Sequence, residues 1–199
     1  WSSAVLSVLS IGCLFAPEQA QAAGSSNIVI AEAYGGGGNS GSTYKNDFIL
    51  LFNRGTTAVN IAGWSVQYAS VAGASWQKTD LTTGTIPAGG YYLIQQAAGG
   101  GGSVDLPTPD AIGTIPMGGT GFKIALCNNS TQLSGSCPTG TSIVDFVGAG
   151  ATANCSEGSP ALAPSNTTSV QRVSDGCQDN DNNSMDFVAA APNPRNSAS

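Results

Sequence analysis

The chain has no histidine. A serine or cysteine hydrolase of the usual kind needs an imidazole as general base, so that chemistry is excluded. Charge is also scarce: only 9% of the 199 residues are Asp, Glu, Lys or Arg, and six basic against twelve acidic side chains leave a net charge of −6. The basic residues (Lys45, Arg54, Lys78, Lys123, Arg172, Arg195) are scattered along the chain. A protein that tracks a nucleic-acid backbone needs them clustered to displace counterions, so no nucleic-acid partner is expected. Long apolar runs are missing as well. The uncharged apolar run "AVLSVLSIGCLFA", from Ala4 to Ala16, falls short of the roughly 20 residues that span a bilayer, and nothing later in the chain could cross one. After that stretch no window keeps a 3.6-residue apolar period, which excludes a helical core.

What is present is glycine (27 residues) together with many Ser, Thr and Asn, and short apolar runs that recur between turn residues. That recurrence argues against disorder and for an all-β chain. "DFILLFN" (Asp47 to Asn53) is apolar on both alternating faces, Phe48, Leu50 and Phe52 on one and Ile49 and Leu51 on the other, as in a central strand. "GWSVQYAS" places Trp64, Val66 and Tyr68 on one face and Ser65 and Gln67 on the other. "GFKIALCNN" points Phe122, Ile124 and Leu126 inward. With "NIVIAEAY", "YYLIQQA", "SIVDFVG", "TSVQRV" and "MDFVAA" this makes about eight short strands, the pattern of a β-sandwich. Phe48, Trp64 and Ile124 are expected between its two layers. Trp76, in the loop-like "GASWQKT", has less reason to be buried. Glu32 lies in an apolar strand and, if buried, must be hydrogen-bonded.

"YGGGGNSG" contains the G-x-G-x-x-G spacing of a dinucleotide loop at Gly36, Gly38 and Gly41. Such a loop works because a helix N-terminus follows and holds the pyrophosphate. Here "STYKNDFILLFN" follows, a loop and then a strand, so the glycines read as a crossover between strands and bare spacing carries no cofactor.

The N-terminus reads as export machinery. The apolar run is followed by "AQA" (residues 20 to 22), a small-residue cleavage pattern, so residues 1–22 are expected to be a signal or a retained hydrophobic anchor and residues 23–199 one domain. "SIGC" before Cys13 loosely fits a lipidation signal. The remaining cysteines, Cys127, Cys137, Cys155 and Cys177, form an even set, which in an exported chain implies disulfides. Three pairings are possible; Cys127–Cys137 and Cys155–Cys177 are preferred because each closes a local polar loop. A zinc site lacks both histidine and C-x-x-C spacing.

Several stretches in order, "IVIAEAYGGGGNSGSTYKNDFILLFN", "TTAVNIAGWSVQYAS", "GTIPAGGYYLIQ", "SIVDFVGAGATANCSEGSPALAPSNTTSVQR", "GCQDNDNNSMDF" and "PNPRNS", resemble the bacterial lamin tail domain family over roughly residues 27 to 197. Glu32, Asp47, Asn53, Gly63, Trp64, Pro87 and Gly89 match its pattern. Leu50 departs from it, since relatives usually carry Glu there, and a Leu says that face is dry. The resemblance implies an immunoglobulin-like β-sandwich, found on exported and surface proteins beside nuclease or phosphatase domains and acting as a noncatalytic attachment module.

The densest acidic group is Asp179, Asp181 and Asp186 in "GCQDNDNNSMDF". D-x-D-x-N suits a hard cation such as calcium, although Ser184 replaces the EF-hand glycine and Ala190 its terminal glutamate. No other cofactor is expected. The leading expectation is a noncatalytic exported module, periplasmic or extracellular, that docks on a protein partner or surface polymer. One alternative is a structural subunit of a filament or membrane complex, touching the membrane only through residues 1–22. The other is a metal-dependent hydrolase using Asp179, Asp181 and Asp186.

Overall fold

A computed structural model describes residues 27–199. The strands are β1 (Ile28–Tyr34), β2 (Asn46–Asn53), β3 (Val59–Asn60), β4 (Trp64–Ser70), β5 (Gln77–Leu81), β6 (Thr85–Ile86), β7 (Tyr91–Ala98), β8 (Ala111–Ile112), β9 (Phe122–Cys127), β10 (Ile143–Ala149), β11 (Ser169–Arg172) and β12 (Phe187–Ala190). One helical turn, α1 (Asn183–Asp186), precedes β12. The order β12-β11-β1-β2-β7-β8 makes one sheet and β10-β9-β4-β5 the other, with β3 and β6 as a small ribbon. This is the all-β sandwich that the alternation predicts, immunoglobulin-like as the family resemblance implies.

The eight strands expected are all present, and four more join them. β3, β6 and β8 are two residues each, too short to leave a period. β5, "QKTDL", is an edge strand whose half-buried Lys78 and exposed Asp80 hide its alternation; only Thr79 and Leu81 turn inward. Charges on an edge also discourage pairing with another chain. The first two residues of "MDFVAA" belong to α1, and the strand begins at Phe187.

Ile28, Ile30, Ile49, Leu51 and Ile94 of the six-stranded sheet meet Val66, Phe122, Ile124, Leu126 and Val147 of the other, all fully buried. The opposite face of β2 is buried too: Phe48, Leu50 and Phe52 pack with Val29, Ala31, Tyr34 and Leu93. The two-sided pattern of β2 therefore reports a central strand covered on both faces. Phe48 is not between the layers as expected but on the outer side, and Trp64 is only partly buried at the core's edge. Trp76 reverses its expectation. It is 3% exposed, stacks edge-on against Phe146 at 6.0 Å, and its indole nitrogen donates to Gly135 O at 2.9 Å. A loop folds over that face of the second sheet and turns the indole into a cover.

Behind Gly41 there is no helix. β2 begins at Asn46, and the glycine run packs backbone against backbone. A Cβ on Gly37 would stand 2.0 Å from Asn46 C, and one on Gly38 2.1 Å from Gly99 N. The run is glycine because three crossing loops share one end of the sandwich.

Candidate functional site

The densest polar chemistry lies where β10 of one sheet faces β1 and β11 of the other. β10 shifts register between Ile143 and Asp145, and this bulge turns the Asp145 side chain inward. Arg172, the last residue of β11, meets it: Nη2 donates to both Asp145 carboxylate oxygens at 2.8 Å, Nε to Ile30 O at 3.0 Å, and Nη1 to Gln178 O and Asp179 Oδ1 at 3.1 Å each. The guanidinium also lies 4.5 Å from the centre of the Phe187 ring. Asp145 accepts further bonds from the amides of Ile30 (2.6 Å) and Phe146 (2.9 Å), so both its oxygens are committed. Burial opposes the charge on Arg172, but Asp145 and Asp179 outweigh it and raise its pKa. The pair bridges the two sheets, and burial, opposed by Arg172, raises the pKa of Asp145.

The predicted acidic trio separates around this pair. Asp179 lies against Arg172 and also 3.3 Å from Arg54. Asp186, fully buried, organises its own turn: its oxygens accept the amides of Asn180 (2.8 Å) and Asn182 (3.1 Å) and the Asn180 side chain (2.6 Å), with Arg172 3.9 Å away. Asp181 is exposed, at φ 52°. Among the described residues the acidic oxygens that come within 4.8 Å of one another belong to Asp145, Glu157 and Asp179 instead. Glu157 leaves no signal in the sequence because it stands alone in its loop. Burial, then repulsion from Asp145 and Asp179, pushes its pKa up to about 8. A hard cation fits this set poorly. Arg172 already supplies its positive charge, the Asp145 oxygens are taken, and Asn183 Nδ2 donates to Glu157 Oε2 at 3.1 Å. The side-chain amide of Asn183 also bridges Phe146 O (2.9 Å) and Gly148 N (2.8 Å), occupying the free edge of β10 as a strand would.

The other motif positions prove to be fasteners. The Asp47 carboxylate accepts the amides of Gly37 and Met117 at 2.8 Å, joining the glycine crossover to the loop before β9, and burial pushes its pKa up to about 7. Asn53 donates to Thr57 O and Ile86 O at 2.8 Å and accepts from Gly55 N at 2.9 Å, so one amide holds two turns. Gly63 and Gly89 carry φ of 86° and 70°, left-handed turns that favour glycine. Leu50 is fully buried and pairs across the strands with Glu32, on the dry face its identity implied. Glu32 is itself 2% exposed and accepts from Ser169 Oγ (2.6 Å) and Asn193 N (2.9 Å), as a buried carboxylate must.

The cysteine pairing differs from the expected one. Cys137 bonds to Cys155, and Cys127 is a buried free thiol whose pKa burial raises to about 11. Cys127–Cys137 and Cys155–Cys177 are therefore both replaced. Cys127 ends β9, where Ser65 and Ile143 flank it in the sheet and hold it apart from the loop cysteines. Lys123, fully buried on the same strand, explains the observed choice. Its ammonium donates to Gly73 O, Ser136 O and Asn154 Oδ1, each at 2.6 Å, gripping the residues just before Cys137 and Cys155. Residues 1–22 and Cys13 lie outside the described residues.

The sequence signature of the lamin tail domain matches residues 21–151. The chain belongs to the lamin tail domain family. Among curated proteins none matches it. Among solved structures it is similar to a DUF4876 family protein from Bacteroides thetaiotaomicron, at 12% identity with a TM-score of 0.54, covering 84% of this chain and 72% of that one. At that identity the likeness concerns the fold alone. The signature stops just after β10. In this lamin tail domain, residues 152–199 then supply β11 and β12, which extend the six-stranded sheet beside β1, and the arginine that locks it to β10.

Proposed function

We propose that this lamin tail domain is a noncatalytic exported module that docks through its loops on a cell surface or a larger envelope assembly. One observation carries the reading: the polar side chains that could do chemistry are spent on fastening loops to sheets. Asp145 is saturated by Arg172 and two amides, Asp186 holds its own turn, Asp47 joins two loops, and the chain has no histidine. Membership of a family of noncatalytic immunoglobulin-like modules supports the same reading. The partner is a protein or a surface polymer.

The test is cross-linking of intact producing cells with a membrane-impermeant amine reagent, followed by mass spectrometry. A labelled chain joined to an envelope component is the expected result. An unlabelled, cytosolic chain would overturn the docking reading. Turnover of a phosphoester by the purified chain, abolished in Asp179→Asn and restored by no added partner, would overturn the noncatalytic one.

A further inference from the structure

The two main sheets end in four edge strands, β12 and β8 on one and β10 and β5 on the other. An edge offers unpaired N–H and C=O groups to any further strand, and proteins guard such edges with charge, proline or a cover. β5 carries Lys78 and Asp80. β10 is filled by the Asn183 amide and by Ala161, whose N donates to Gly148 O at 2.8 Å and whose O accepts from Gly150 N at 3.0 Å. β8 is two residues long and lies between Pro109 and Pro116. β12, "FVAA", has no such guard: it holds no charge, no proline and no polar side chain. Val188 is 46% exposed, Ala189 is exposed, and Met185, in the turn just before the strand, is 61% exposed.

The ladder shows which backbone groups of β12 are spare. Val173 N donates to Asp186 O at 2.8 Å, in step with the pairs Arg172↔Phe187, Gln171↔Val188, Val170↔Ala189 and Ser169↔Ala190. Bonded and non-bonded pairs alternate in an antiparallel ladder, so Val188 and Ala190 turn their N–H and C=O toward β11 while Phe187 and Ala189 turn theirs away. Phe187 N is taken by Asn183 O. Ala189 N and Ala189 O meet no partner among the described residues. After Ala190 the chain leaves the edge. Ala191 O accepts from Gln171 Nε2 at 2.6 Å and Asn193 N donates to Glu32 at 2.9 Å, so residues 191–199 run back over the sheet as a strap and leave the edge uncovered.

We propose that β12 is a self-association edge, on which a second copy of this chain docks its own β12 antiparallel, about a twofold axis at Ala189. Ala189 N of each copy donates to Ala189 O of the other, so the spare donor and acceptor satisfy each other across the axis. Val188 of each then stands opposite Ala190 of the other, apolar against apolar. The two six-stranded sheets become continuous. The occupant is a second copy because the edge is its own complement in this register, and because β12 has no side chain that would select a different sequence. The contact uses the same strand on both sides and the guarded β8 offers no second site, so assembly stops at a dimer rather than a fibre. A strand of four residues covers far less than the roughly 1,600 Å² of a standard interface, so the dimer is weak and reversible.

The test is sedimentation equilibrium on the full chain from about 10 μM to 1 mM, where a weak dimer passes from mostly dissociated to mostly formed. A mass that doubles across this range is expected. Val188→Lys, which puts a charge on an exposed position, and Ala189→Pro, which removes the spare N–H, should each weaken the dimer by about tenfold or more, while Ile112→Lys on β8 leaves it unchanged. In Ala189→Cys, oxidation should give a covalent dimer, because facing Cα atoms of a bonded pair stand about 5.5 Å apart, within disulfide reach. A chain that stays monomeric up to about 1 mM overturns the proposal, even if an unrelated extended peptide binds at β12. So does a dimer that survives both β12 variants, or one that Ile112→Lys abolishes.

Discussion

Raising the pH from 5 to 8.5 should destabilise this protein, although most proteins are comfortable across that window. Four carboxyls carry raised pKa values in the fold: Glu32 and Asp47 rise to about 7 and Glu157 to about 8, against 4.5, 3.8 and 4.5 in water, and Asp145 is raised as well. Burial is the first cause in each. The folded state therefore binds protons more tightly than the unfolded chain. Stability from that uptake is present near pH 5 and is lost as the pH rises through the folded values. Worked from these pairs, each group costs on the order of 2–4 kcal/mol across the window. For a domain of this size each kcal/mol moves Tm by about 2–4 °C, so Tm should fall by roughly 10 °C or more between pH 5 and pH 8.5. Differential scanning calorimetry on the oxidised chain reads this directly. The single variants Glu32→Gln, Asp47→Asn and Glu157→Gln should each flatten the slope in part, whatever they cost in absolute stability. A Tm that is level or rises across this window would refute the reasoning. So would variants that all keep the full slope, since the protons would then be bound elsewhere.

Two further outcomes follow from the inter-sheet lock and the cysteines. Arg172→Met leaves Asp145 buried without its cation and should cost about 3–5 kcal/mol in urea unfolding, while the double variant Arg172→Met/Asp145→Asn should recover part of that loss because position 145 then carries no charge. Peptide mapping of the oxidised chain should find Cys137 linked to Cys155, with Cys127 alkylated only after denaturation; a Cys127–Cys137 peptide would contradict the packing of β9. Cys137→Ser should lower stability by about 2–4 kcal/mol, through the loop that the bridge closes over a separation of 18 residues.

Sequence alone determined the class of fold and the strands that matter most, because a central strand buried on two faces and a strand buried on one leave different period-2 patterns. β2 was legible as the two-sided case, and the dryness of Leu50 with it; β9 alternates in sequence, yet both its faces are buried, Lys123, Ala125 and Cys127 included. It also settled the glycine crossover: a loop that runs into "DFILLFN" has no helix with which to hold a phosphate. The absence of histidine, a matter of composition alone, closed off the commonest hydrolytic chemistry.

Tertiary structure decided whatever depends on what lies across a gap. Trp76 reads as a loop residue until a loop folds over it. Cys127 looks like a loop cysteine until its strand places it between Ser65 and Ile143, and Lys123 then brings the loops bearing Cys137 and Cys155 together. The acidic run 179–186 looks like one site in sequence, but its side chains diverge. Asp145, Glu157 and Arg172 converge on it from separate segments with nothing in their spacing to announce it. Local pattern records which face of a strand is dry. It does not record which distant charge, bulge or strap will meet that face, because those partners are chosen by the stacking of the two sheets.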